Sequence, residues 1–117
     1  MIFSTDFSGY GKEHNYCRFN TANGAPAYSI TIPKTLAKKA GLGEKCVLGY
    51  DEKKSVFFII PNNDGDVTVN YQASPRVCAM AFMKAIGISP VGRYEAEIEN
   101  GAIKIYLNKK VWNGKGL

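Results

Sequence analysis

Leu36-Ala37-Lys38-Lys39-Ala40-Gly41-Leu42 returns 46 positions later as Phe82-Met83-Lys84-Ala85-Ile86-Gly87-Ile88. Each copy reads as a short helix closed by a glycine suited to a left-handed cap. Two alternating apolar stretches follow, carrying Tyr50, Phe57 and Ile59 after the first copy and Ala96, Ile103 and Ile105 after the second. Similarity at a fixed period decides architecture before any finer reading, and two copies are too few for a solenoid. The pattern predicts two halves of one closed structure, each covering the apolar face of the other.

Composition sets the bounds. A chain of 117 residues with 45% apolar and 21% charged residues is that of an ordinary globular protein, and its length predicts one domain over 1–117. Internal halves are expected at about 15–61 and 66–107, with a loose tail over 108–117. No run of 18 apolar residues is present, so no membrane partner is expected. The start, Met1 to Asp6, has no basic segment leading into an apolar one, so no secretory leader is expected. Cys17, Cys46 and Cys78 are odd in number and far apart, which predicts free thiols in a reducing cytoplasm, as small core residues rather than a disulfide frame.

Outward from the first helix, Tyr28 to Ile32 alternates and ends at Pro33, a residue tolerated at a strand end and at the first position of a helix. Cys46 to Tyr50 and Ser55 to Ile60 read as strands joined by a turn over Asp51-Glu52-Lys53-Lys54. Pro61 to Asp66 is all turn formers and reads as a linker. Val67 to Tyr71 alternates again. Ser74-Pro75 is a helix-start signal, and Val77, Cys78, Ala81, Phe82, Ala85 and Ile86 follow at helical spacing. Tyr94, Ala96 and Ile98 alternate with Glu95, Glu97 and Glu99, and Asn100-Gly101 is a two-residue hairpin turn leading to Ile103, Ile105 and Leu107. Tyr16 to Phe19 makes a further short strand.

The run Tyr28-Ser29-Ile30-Thr31-Ile32-Pro33-Lys34-Thr35-Leu36-Ala37-Lys38-Lys39-Ala40-Gly41-Leu42, with Gly43-Glu44-Lys45 and the apolar strand after it, resembles the AbrB/MazE family of swapped-hairpin DNA-binding domains. The resemblance covers residues 27–61 and returns weakly over 74–107, where Ala79 stands in the place of Pro33. It implies a β-rich α+β fold: a swapped-hairpin barrel built from two related β-α-β-β halves, here fused in one chain as a pseudo-dimer. It also implies basic residues near the strand end and helix that contact duplex DNA. Two usual basic positions of the family hold Ser29 and Ala37 here. A net charge of +5 fits a polyanionic partner.

The expected role is therefore that of a non-enzymatic, DNA-binding transcriptional regulator without a cofactor. Its expected nucleic-acid contacts are Arg18, Lys34, Lys38, Lys39, Arg76 and Lys84. Lysine suits phosphate better than guanine, so binding is expected to be backbone-driven and salt-sensitive. A second reading is a protein-binding module, antitoxin-like or an inhibitor from a phage or mobile element, using Glu95, Glu97, Glu99 and Trp112. A third is a single-strand binder using Phe7, Tyr10, Tyr16, Phe19 and Tyr28 beside Lys12 and Arg18. His14 and Cys17 lack the second close pair of a structural zinc site. The chain acts either as a monomeric pseudo-dimer or as a homodimer.

Overall fold

A computed structural model of the protein describes residues 16–20, 29–71 and 74–111. The elements run β1 (Tyr16–Asn20), β2 (Ser29–Thr31), α1 (Lys34–Ala40), β3 (Lys45–Asp51), β4 (Val56–Pro61), β5 (Val67–Asn70), β6 (Arg76–Cys78), α2 (Met80–Ile86), β7 (Gly92–Glu99) and β8 (Ala102–Val111). The strands close into an antiparallel barrel in the order β1-β2-β6-β5-β3-β4-β8-β7, with β7 returning to β1. Among the described residues no helix is long and apolar enough to cross a membrane.

Alternation along each strand aims one set of side chains inward. Cys17, Phe19, Ile30, Phe57, Ile59, Val77, Ile103 and Ile105 are at most 1% exposed. Four aromatics form a chain of edge-to-face contacts through this core: Phe82 to Phe57 at 5.5 Å, Phe57 to Phe19 at 5.6 Å and Phe19 to Tyr94 at 5.5 Å between ring centres. Such geometry sets the positive ring edge against the neighbouring negative face. The outward residues are mostly the polar members of each alternation, and they supply the surface of the barrel.

The two helices match in length and in closure. Gly41 (φ 71°, ψ 30°) ends α1 and Gly87 (φ 75°, ψ 28°) ends α2, both in the left-handed region. The Leu42 amide donates to the Ala37 carbonyl at 2.9 Å, and the Ile88 amide donates to the Met83 carbonyl at 3.3 Å. Each bond satisfies a carbonyl that the helix itself leaves open. Leu36 and Ala37 are buried, while Lys34, Lys38 and Lys39 face outward, as the spacing predicts. Asn100 (φ 53°) and Gly101 (φ 78°) make the tight β7–β8 turn.

Three expectations need correction. The helix does not begin at Ser74-Pro75: Arg76–Cys78 is strand β6, and α2 begins at Met80. Val77 lies in register with Ile30 on one side and Val69 on the other, and the Ile32 amide donates to the Pro75 carbonyl at 2.8 Å. Two strand edges that need a partner outweigh a local helix-start signal. Residues 108–111 are not loose: β8 continues through them, pairing Lys110 with Tyr94 and Val111 with Arg93. Cys78 is exposed, whereas Cys17 and Cys46 are buried, and all three are free thiols.

The segment over 61–66 is made of turn formers but does not act as a slack linker. The Asn62 amide donates to the Lys45 carbonyl at 3.2 Å and the Gly65 amide to the Asn62 carbonyl at 2.9 Å. A Cβ on Gly65 would lie 2.3 Å from the Cys46 carbonyl oxygen, so only glycine lets the chain pass this close to β3.

Candidate functional site

The register of the barrel brings three arginines into one line. Arg93 on β7 lies opposite Arg18 on β1, Arg18 opposite Thr31 on β2, and Thr31 opposite Arg76 on β6. The inward neighbours of these residues fix their direction. Cys17, Phe19, Ile30, Ile32, Val77 and Tyr94 are buried, so the four members of the row point away from the core. Neighbouring strands stand about 5 Å apart, which gives a row of about 15 Å from Arg93 to Arg76. Among the described residues no carboxylate forms an ion pair with Arg18, Arg76 or Arg93. Like charges directly opposite each other destabilise a sheet, and an anion laid across them removes that cost.

Polar bonds hold the centre of the row. The Asn20 amide donates from Nδ2 to Thr31 Oγ1 at 2.8 Å and to Ser29 Oγ at 3.2 Å, clamping β1 to β2. Thr31 Oγ1 accepts this bond, and a hydroxyl that accepts retains its O–H as a donor. Ser29 is 2% exposed and uncharged. The basic groups of this face therefore come from β1, β6 and β7 instead.

A groove beside the row is lined by Tyr16, Arg18, Thr31, Pro33, Ser74 and Arg93. A second, lined by Lys34, Ala37, Lys38, Leu42, Tyr71 and Pro75, adjoins it along Pro33-Lys34 and Ser74-Pro75. Tyr71 donates its hydroxyl to the Leu42 carbonyl at 2.6 Å and so fixes the far wall. The loss of water around that hydroxyl raises the phenol above its ordinary value, which keeps the donor proton in place. Lys34 and Lys38 line this neighbouring groove, with Lys39 exposed on the same helix. Lys84 lines neither groove and lies in the last turn of α2.

A third groove, on the α2 side, has a different character. Its lining includes Val47, Leu48, Asp66, Val67, Thr68, Cys78 and Phe82. Lys45 lies opposite Thr68, and Cys78 opposite Ser29, which in turn lies opposite Asn20. Below it the Cys46 thiol is pushed up to about 11, first by burial and then by the Asp66 carboxylate.

The glutamates expected to meet a protein partner are exposed, but two are engaged. Glu99 pairs with Lys104 at 3.1 Å, and Glu97 accepts the Tyr106 hydroxyl. The first bond raises the Lys104 ammonium and the second raises the Tyr106 phenol. Lys109 stands over the Tyr106 ring at 4.8 Å. Glu95 lies opposite Tyr16, two residues from Arg93. Of the aromatics read as a stacking surface, Phe19 is buried in the core and Tyr16 lines the arginine groove. Phe7, Tyr10, Lys12, His14, Tyr28 and Trp112 lie outside the described residues. Among the described residues no group of three or more His, Cys, Asp or Glu is placed to hold a metal ion.

Arg93 was not legible as a contact residue. It stands just before the alternation that starts at Tyr94, and its partner strand, β1, is some seventy residues earlier in the chain. Comparisons with protein-family models, with curated proteins and with solved structures give no match.

Proposed function

We propose that this chain is a non-enzymatic, duplex-DNA-binding regulator of AbrB-like type, built as a swapped-hairpin pseudo-dimer. The strand pairings support that architecture. Take β1, β2, α1, β3 and β4 as one unit and β5, β6, α2, β7 and β8 as the other. Exchanging the units turns the β1–β2 pair into β5–β6, β3–β4 into β7–β8 and β3–β5 into β7–β1, while β2–β6 and β4–β8 map onto themselves. Within a unit the first hairpin never pairs with the second, so every join between hairpins crosses from one unit to the other.

The observation that carries the binding function is the outward row Arg93–Arg18–Thr31–Arg76, continued by Lys34 and Lys38. Guanidinium forks match phosphate oxygens two bonds at a time, and the threonine hydroxyl adds a neutral donor between them. Phosphate contacts position a protein on DNA without reading its sequence. Five cations neutralising phosphates give a slope of log affinity against log salt of roughly −4.5.

Titrating a duplex and its separated strand between 50 and 200 mM salt tests this reading. Duplex affinity is expected to fall several hundred-fold, and the variant Arg18→Gln/Arg76→Gln/Arg93→Gln is expected to lose roughly 2.7 units of slope. Absence of duplex affinity at 50 mM salt, or preference for the single strand, overturns it.

A further inference from the structure

The two units present unlike surfaces at corresponding places. In the exchange above, β1 corresponds to β5, β2 to β6 and β7 to β3. The row Arg93–Arg18–Thr31–Arg76 then corresponds to Lys45–Thr68–Cys78–Ser29, in which Lys45 faces Thr68 and Cys78 faces Ser29. Three arginines on one side answer to a single lysine on the other. The grooves differ in the same sense: the one beside the arginine row is lined by Arg18 and Arg93, the third by Val47, Leu48, Val67 and Phe82 with one carboxylate, Asp66. The helices differ too, since Lys34, Lys38 and Lys39 of α1 correspond to Met80, Lys84 and Ala85 of α2, 46 positions on.

From this asymmetry, and resting on the duplex-binding reading, we infer that the protein grips DNA with one of its two related rows only, as one chain on one continuous run of phosphates, with no requirement for an inverted repeat. The length of the row agrees. At about 15 Å it reaches less than half of the roughly 34 Å between half-sites that a twofold DNA-binding dimer spans. The second row crosses β2 and β6 only two residues from the first, at Ser29 and Cys78, and its single lysine and the nearby Asp66 add little to phosphate binding. A protein with two equal halves would place a comparable number of cations on both rows. This chain does not.

The test uses the full chain and a 12-base-pair duplex of non-palindromic sequence in excess at 50 mM salt, with the mass of the complex read by sedimentation. One duplex per chain is expected. Arg18→Gln is expected to weaken binding about tenfold, and Lys45→Gln less than twofold. An inverted repeat of the same half-sequence is expected to bind no more tightly, per chain, than the single copy. Equal losses from Arg18→Gln and Lys45→Gln, or tighter binding per chain to the inverted repeat, overturn one-sided binding while leaving DNA binding intact. No duplex uptake by the wild-type chain overturns the underlying function as well. Circular dichroism melts that match wild type exclude misfolding as the source of either loss; both substituted residues are exposed on strands, where such changes are tolerated.

Discussion

Two rows of outward side chains cross the same barrel, and they differ where it matters for a charged partner. Arg18 sits between Arg93 and Thr31, while Thr68 sits opposite Lys45 in a groove that also holds Cys78 and Asp66. Backbone geometry is shared, with antiparallel pairing on both sides and a glycine-capped helix beside each row. The difference therefore lies in side-chain chemistry carried on a common frame. On the duplex-binding reading proposed here, only the arginine row is equipped to meet phosphates.

The comparison can be broken at the level of the frame. Phe57 is fully buried and touches Phe19 beneath the first row and Phe82 beside the second groove. Phe57→Ala should cost about 3–5 kcal/mol in urea unfolding and remove both surfaces together. A variant that lost DNA affinity while keeping wild-type stability would show that the frame is not common to them.

A smaller perturbation sharpens it. An added Cβ at Gly41 or at Gly87 meets nothing within 4 Å, so only the left-handed backbone opposes it. Gly41→Ala and Gly87→Ala should therefore each cost about 1–2 kcal/mol, equal within error in thermal melts. A marked difference would mean that the helix ends are alike in shape and unlike in their bearing on stability.

Much of this was legible locally. The α1 stripe of Leu36, Ala37 and Ala40, the two glycine caps and the Asn100-Gly101 turn are set by residues within a few positions of one another, and each appears as the sequence predicts. Strand β6 was not, because Ser74-Pro75 and the apolar spacing after it describe a helix equally well. The reason for a strand lies in Ile30 and Val69, which flank Val77 from other parts of the chain. The arginine row was hidden for the same cause. In the sequence Arg18 reads as part of a short strand, Arg76 as part of a helix, and Arg93 stands outside the alternation that starts at Tyr94; only the closure of β7 onto β1 and of β2 onto β6 lines the three up. The acidic alternation of β7 was legible as exposed. Its engagement with Lys104 and Tyr106 on β8 depends on cross-strand neighbours.

The most direct measurement is a backbone amide chemical-shift titration with a 12-base-pair duplex at low salt, assigned residue by residue. The account predicts shifts concentrated at Arg93, Arg18, Thr31, Arg76, Lys34 and Lys38, with Lys45, Thr68 and Cys78 unmoved. Equal shifts on both rows, or shifts confined to the Thr68 and Phe82 groove, would contradict it.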